Sequence, residues 1–440
     1  MYVRRVILGN VKGFENLDFE LSRPDGTYAG WTVFTGDNGS GKSTLLKAIA
    51  IGLVGRDVAR SLQPNFRGWI NGGAFPAEAS IQLEVVRTPV DDEFTLRGAQ
   101  PSEMFPVRLA LEPGLKDISI KAEVPAKKSK KYQTPERTIW STSASGWFSC
   151  GYGPFRRVFG ASSEATQIMV SPATARFATM FQEAASLLQA DQWIRELHYK
   201  AIEDKLRPIP DKVPEQLILD ALLGMLGDAF MPTHLELEGV DSDGVWLKDA
   251  VGNRLAWSDM SDGYRAALAL LIDIFRHLVT TYGPGNLVER DGVDGRIRVI
   301  RSGVVLIDEI DAHLHPAWQQ TIGFWLKEHF PNIQFLVTTH SPIICQAADP
   351  HGLFVLPEPG SGAAPHRLTV DEYNLVIASR PDTILTSDAF GLQNTRSPRA
   401  VEARAKLARI ASKQSAGGKL TPGEKSQWKE LSLFQTDEEL

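Results

Sequence analysis

Cysteine is nearly absent. The 440 residues hold two, Cys150 and Cys345, too few for a disulfide framework or a zinc site of their own. Long apolar runs are missing as well: stretches such as Ala266–Ile272 (AALALLI) fall far short of the roughly 18 residues that a membrane-spanning helix needs. There is no large excess of one charge, with 47 Lys and Arg against 53 Asp and Glu for a net charge of −6. A chain coated in positive charge is thereby excluded, although a local basic groove is not. The opening MYVRRVILGN has neither an apolar h-region nor a small-residue cleavage site, so a reducing, cytoplasmic location is expected. What remains is an ordinary globular composition, 43 % apolar and 23 % charged, which rules out global disorder and fibrous repeats.

Hydrophobic patterning divides the chain. Apolar and polar residues alternate from Leu17 to Leu21, the period of a half-buried strand. The uncharged run Trp31–Thr35 predicts a strand buried on both faces. It leads into Gly36-Asp37-Asn38-Gly39-Ser40-Gly41-Lys42-Ser43-Thr44 and then a helix. Residues 76–150 read as β-rich, with clean alternation over Ser80–Val86 and a basic cluster at Lys127, Lys128, Lys130 and Lys131. From Pro172 to Phe230 apolar residues recur at spacings of three and four, as on one stripe of a helix. Pro208, Pro210 and Pro214 interrupt this block too often for a long coiled-coil arm. A hairpin is predicted over Leu235–Glu238 and Gly244–Leu247, and a helix over Tyr264–Leu278. Two more uncharged strands follow, Gly303–Ile307 and Gln334–Thr338, with an amphipathic helix between them over Ala317–His329. Strand, helix and strand with buried strands is the pattern of a parallel α/β core. The tail beyond Asp371 is polar and helical, and Thr421, Pro422 and Glu424 have the spacing of a capping box.

Gly36-x4-Gly41-Lys42-Ser43 has the spacing of a phosphate-binding loop. Its glycines allow a tight turn of inward-pointing N–H groups, Lys42 meets the β/γ charge, and Ser43 offers a hydroxyl to Mg²⁺. Val304–Ile307 would carry Asp308 and Glu309 to the carboxyl end of a buried strand, where ligands bind in open α/β sheets. Asp308 suits Mg²⁺, and Glu309 suits proton removal from an attacking water. Ser261 and the N–H groups after it open an apolar helix and form a second anion site. The strand Gln334–Thr338 leads into His340.

GDNGSGKST, MSDGYR, VVLIDEIDAHLHP and FLVTTHSP resemble the Walker A, signature, Walker B/D-loop and H-loop elements of ABC-type ATPases. The opening GNVKGFENLDFEL resembles the SMC/RecF branch. With the segment GYGPFRR, the combination is similar to stand-alone bacterial anti-phage ATPases, namely Septu-type subunits and the ATPase half of the overcoming-lysogenisation nucleases. The resemblance covers most of residues 1–355. It implies an α/β ABC-type P-loop ATPase head, a mixed sheet with a parallel core. Core segments 1–75 and 235–355 would enclose an inserted antiparallel β lobe (76–150) and a helical lobe (151–234), with a short arm and no long coiled coil. Residues 356–440 would form a tail.

The same resemblance implies ATP and Mg²⁺ as cofactors. Gly36, Asn38, Gly39, Gly41, Lys42, Ser43 and Thr44 would hold the nucleotide, and Ser43 and Asp308 the metal. Glu309 would be the base, with Lys42 and His340 on the γ-phosphate or the water. Ser261 and Gly263 of a second copy would cap the γ-phosphate, giving a head-to-tail, ATP-sandwiched homodimer in which Asp311 links the two sites; higher oligomers stay open. There are departures: MSDG stands where LSGG is common, and Asp308 follows Ser261 by 47 residues, a long gap. Tyr152-Gly153-Pro154 with Arg156 sits where a Q-loop could lie, a plain turn being the alternative. The residues after His351 show neither a Toprim-type acidic cluster nor an HNH-type spacing, so any nuclease effector is expected to be a separate subunit. The tail either docks it or packs on its own domain. Lys127, Lys128, Lys130, Lys131, Arg156 and Arg157 either contact phosphates of double-stranded DNA or are simply solvated. A RecF-like repair ATPase is the alternative reading, a membrane-transporter ATPase a weaker one, and no membrane partner is expected.

Overall fold

A computed structural model describes the chain except residues 74–76, 94–101, 124–134, 142–145, 157, 159–161, 208, 211, 229, 231–234, 359 and 432–440. The lysine cluster at 127–131 and Arg157 therefore lie outside the described residues. The chain divides into two compact units, Met1–Ser379 and Arg380–Leu440.

Two sheets and one helix organise the larger unit. The three uncharged runs are the centre of a six-stranded sheet in the order His366–Arg367, Leu353–Leu356, Gly30–Gly36, Ile333–Thr338, Gly303–Ile307, Ser149–Tyr152. All neighbours are parallel except the first pair. Every residue of Gly303–Ile307 and Ile333–Thr338 is buried, as strands covered on both faces require. Ile307 pairs with Val337 and Val337 with Val33. The three central strands therefore end together and bring the chain at Gly36, Asp308 and Thr338 to one edge.

The alternating strands Tyr2–Val11, Phe14–Glu20, Ala79–Val86, Met104–Pro113 and Ile118–Ala122 build a second, antiparallel sheet. Ala79–Val86 pairs directly with Tyr2–Val11, so the β-rich segment continues the N-terminal sheet instead of standing apart as a lobe. The helix Lys42–Leu62 shares one core with both sheets. Its Leu45, Ile49 and Leu53 lie in the same buried cluster as Val6, Leu8, Ile81 and Leu83 of one sheet and Leu306 and Leu336 of the other. At about 1.5–3 kcal/mol for each fully buried large aliphatic chain, this packing fixes where the helix's first turn points.

The helical block resolves into Pro172–Ala175, Ala178–Phe181, Leu188–Leu206 and Glu215–Gly227. Leu188–Leu206 packs on Glu215–Gly227 and on the helix Asp262–Tyr282. The predicted hairpin gains a third strand, giving Leu235–Asp241, Gly244–Asp249 and Arg254–Ala256. Lys42–Leu62 is kinked at Gly55 (φ 77°); among the described residues the longest unbroken helix, Asp262–Tyr282, has 21 residues, and no helix is long and apolar enough to cross a membrane. In the smaller unit, Pro398–Ser415 packs on Pro422–Leu431. The Thr421 N–H donates to Glu424 Oε2 at 2.7 Å and the Glu424 N–H to Thr421 Oγ1 at 3.2 Å, the reciprocal cap that the sequence predicts.

Candidate nucleotide site

The loop after Gly30–Gly36 turns through Gly39 (φ 81°) and Gly41 (φ 96°), the left-handed region that glycine enters at little cost. Gly41 has a second reason to be glycine: a Cβ there would come within 2.5 Å of Phe14 Cζ. Gly41 caps the following helix without a side-chain bond, and the first turn holds no acidic residue. Leu45 N–H is the first to reach back, to the Gly41 carbonyl at 2.9 Å. Apart from that of Ser40, which donates to the Asp37 carbonyl at 3.2 Å, the earlier N–H groups of the turn are left to face an anion. Lys42 Nζ bridges the carbonyls of Gly36 and Asp37, each at 2.8 Å. Burial pushes its ammonium below the ordinary lysine range, against the pull of Asp308, Glu309, Asp37 and Asp311. Ser40 Oγ is buried without a hydrogen-bond partner. A glycine-lined turn with free N–H groups and an orphaned hydroxyl fits a polyphosphate. The half-buried Ser43 and Thr44 begin the helix.

Across the sheet edge, Asp308 is 2 % exposed. Thr338 at the end of the neighbouring strand donates its hydroxyl to Asp308 Oδ1 at 2.6 Å and accepts the Glu309 N–H at 2.7 Å. Glu309 itself is left-handed at φ 47°, a conformation that costs a non-glycine residue about 1–2 kcal/mol. The chain then turns so that Asp311 Oδ1 accepts from Thr339 Oγ1 at 2.5 Å. His340 follows, half-buried, between Thr339 and Ser341, which caps the short helix Pro342–Cys345. The described residues thus bring Lys42, Asp308, Glu309 and Asp311 within electrostatic reach of one another, with His340 on the adjoining strand end.

Ser261 caps the helix Asp262–Tyr282 by position, yet its side chain makes no capping bond and is exposed. Gly263 meets the far end of the turn that starts at Asp308, since a Cβ on it would collide with the His313 carbonyl oxygen. Asp262 is paired with Arg265 in the same turn.

A family model described as "AAA domain, putative AbiEii toxin, Type IV TA system" matches residues 31–346, from the P-loop strand to just beyond the Pro342–Cys345 helix. The chain belongs to this family. It is an ATPase with a nucleotide-binding P-loop head. Among curated proteins, it is 26 % identical over 401 residues to the Retron Ec83 probable ATPase of Escherichia coli, covering 80 % of this chain and 71 % of that protein. It is 23 % identical over 346 residues to the Septu protein PtuA of Bacillus mycoides (strain KBAB4), covering 78 % of this chain and 38 % of that protein. The chain thus spans well under half of the Septu relative's length. Among solved structures, the SMC head bound to the C-winged helix domain of ScpA is 16 % identical with a TM-score of 0.50, covering 84 % of this chain and 99 % of that one. The fold is accordingly SMC head-like: a mixed α/β sheet with parallel strands, together with antiparallel sheets and helices.

Within this ATPase head, Arg156 departs from the sequence expectation. As a contact for DNA phosphates it would have to be exposed; it is 4 % exposed. Its Nη1 donates to the carbonyls of Gly153 (3.2 Å) and Asp308 (3.0 Å). Its Nη2 reaches those of Glu309 (3.1 Å), Ile310 (3.2 Å) and Ala312 (3.1 Å). Both terminal nitrogens are thus engaged by backbone carbonyls. The turn after Tyr152 lies beside the strand Gly303–Ile307 that leads into Asp308, because Ser149–Tyr152 is that strand's parallel neighbour.

Tyr152 is the other residue whose role sequence reasoning missed. Its carbonyl accepts the Asp308 N–H at 2.8 Å, and its hydroxyl donates to Asp273 Oδ2 at 2.9 Å. Asp273, in the helix that begins at Asp262, also binds Arg276 at 2.7 Å and lies 3.3 Å from His277. Burial pushes the Asp273 carboxyl up, but His277 and Arg276 outweigh it and hold it well below the usual carboxylate range. Burial pushes His277 down by more than Asp273 raises it. This cluster ties the helix Asp262–Tyr282 to the strand beside Asp308. The two cysteines take no part in the site: Cys150 and Cys345 are buried free thiols, both pushed up by burial.

Proposed function

We propose that this chain is the ATP-binding and hydrolysing subunit of a cytoplasmic anti-phage defence complex, switched by nucleotide between separate and paired heads, with a separate nuclease as effector. The observation that carries the reading is one continuous device. The P-loop and the Asp308–Glu309 pair share a sheet edge, and the turn leaving Asp308 ends on Gly263 at the start of the signature helix. The defence context is supported by relatives named for Septu and retron systems and by the motif resemblance to anti-phage ATPases. Duplex DNA as a partner rests only on that resemblance and on Lys127, Lys128, Lys130 and Lys131. The division into a core, a β-rich segment, a helical lobe and a tail that docks the effector belongs to the same proposal.

In this reading the N–H groups of Gly36, Asn38, Gly39 and Gly41 cradle the triphosphate, with Lys42, Ser43 and Thr44 closing on its β- and γ-phosphates. The Ser43 hydroxyl and the Asp308 carboxylate suit Mg²⁺: Thr338 occupies Asp308 Oδ1, and no hydrogen bond is made to Oδ2 among the described residues. When bound, the cation would neutralise charge on the β- and γ-phosphates. Glu309 takes the proton of the attacking water. His340, whose ring makes no hydrogen bond among the described residues, orients the water or the γ-phosphate. Ser261 and Gly263 of a second copy meet that γ-phosphate, and Asp311 transmits its presence between sites.

The test is the mass of the Glu309→Gln chain by light scattering, with and without ATP and Mg²⁺. Doubling on ATP addition, abolished by a further Ser261→Arg change, is the expected result. An unchanged mass with ATP demonstrably bound would contradict the switch.

A further inference from the structure

We infer that Arg156 is a positioning residue for hydrolysis: its guanidinium fixes the turn from Asp308 to Ala312 that aims Glu309 and Asp311. The inference deepens the proposed function, because it rests on Glu309 acting as the base.

The geometry inverts an anion nest. In the P-loop successive N–H groups converge on an outside anion. Between Asp308 and Ala312 the carbonyls of four of five residues converge on a cation supplied by the chain itself. That convergence coincides with the left-handed step at Glu309. A carboxylate after a strand would otherwise sample extended or right-handed backbone, and its carboxyl would swing accordingly. An arginine suits this job because its planar fork presents five donors in fixed directions, whereas a lysine ammonium is a point charge with three.

Burial drives the Arg156 guanidinium down to about 10, against the pull of Asp311, Asp308 and Glu309, so it stays charged at neutral pH. Breaking a buried charge-assisted bond is costly, and here one side chain makes several at once. The bond to the Gly153 carbonyl adds a tether. It joins the loop that follows Ser149–Tyr152 to the same turn, so that loop and the catalytic carboxylate move as one piece.

The experiment compares Arg156→Lys, Arg156→Gln and Glu309→Gln in the full chain. It measures ATP turnover, affinity for a fluorescent ATP analogue, and thermal stability. The expected result is at least a tenfold loss of kcat in Arg156→Lys, with nucleotide affinity within twofold of wild type and a larger kcat loss in Arg156→Gln. If the glutamine variant does not fold, the lysine variant carries the test. Wild-type turnover in Arg156→Lys while Glu309→Gln is inactive would overturn the positioning role and leave Glu309 as the base. Active Glu309→Gln would instead overturn the base assignment. Equal losses of affinity and turnover in Arg156→Lys, or failure of both arginine variants to fold, would make Arg156 a plain core residue and overturn the inference.

Discussion

Two turns leave the same edge of the same sheet, and they are held in opposite ways. The P-loop takes its left-handed steps at Gly39 and Gly41, where the backbone needs no outside help. The turn after Ile307 takes them at Glu309 (φ 47°) and His313 (φ 68°), where strain must be offset by tertiary contacts. Thr338, the Tyr152 carbonyl and Arg156 provide them. The first turn is written locally and waits for an anion. The second is imposed from a distance and carries the side chains of Glu309 and His313 where glycine would have given none. A loop that must present a carboxylate at a fixed angle cannot afford glycine's freedom, so its shape is borrowed from neighbours.

The largest effect is expected where the local turn is broken. Gly41→Val combines a left-handed φ with a Cβ 2.5 Å from Phe14 Cζ. It should weaken fluorescent-nucleotide binding by a hundredfold or more, whereas near-normal affinity would mean that the loop re-forms without its glycine. Next comes the imposed turn. Thr338→Val keeps the shape of the side chain but removes both the donor to Asp308 and the acceptor for the Glu309 N–H. With such bonds to charged groups contributing about 1.5–3 kcal/mol, kcat should fall by ten- to a hundredfold, with ATP affinity changed far less. Equal losses in both quantities would show that the two turns are not independent.

The smallest effect concerns the anchor behind Tyr152. His277 is buried and held below the ordinary imidazole range. Below about pH 6.5 the unfolded chain therefore takes up a proton that the folded chain refuses, and stability falls as pH falls. The depressed Asp273 works in a lower window, stabilising the fold above the usual carboxylate range and losing that contribution only on strong acidification. Melting temperature should thus drop modestly between pH 7.5 and 5.5, and His277→Asn should flatten that slope. An unchanged slope in the variant would place the pH sensitivity elsewhere.

The same contrast explains what was legible in the sequence. The P-loop, the buried strands, the helix Pro316–His329 and the cap at Thr421 are written in spacings of a few residues, and they could be read directly. Asp308 and Glu309 were visible because an uncharged run ended in two acids. Arg156 was not, because its partner Asp308 lies 152 residues away and a buried arginine looks like any surface one in a sequence. Alternation over Ser80–Val86 announced a strand but not its partner, so the segment read as an insertion until Ala79–Val86 was seen to pair with Tyr2–Val11. Gly263 read as a phosphate contact, while the structure adds the passing His313 carbonyl as a reason for glycine there.

The central claim is that the imposed turn exists to aim Glu309 at a water beside an ATP held by the other turn. Phosphate release by Glu309→Gln, measured at saturating ATP and Mg²⁺ alongside its nucleotide affinity, tests this most directly. The account predicts affinity close to wild type with turnover reduced at least a hundredfold. Turnover near the wild-type rate in a chain that binds ATP normally would contradict it.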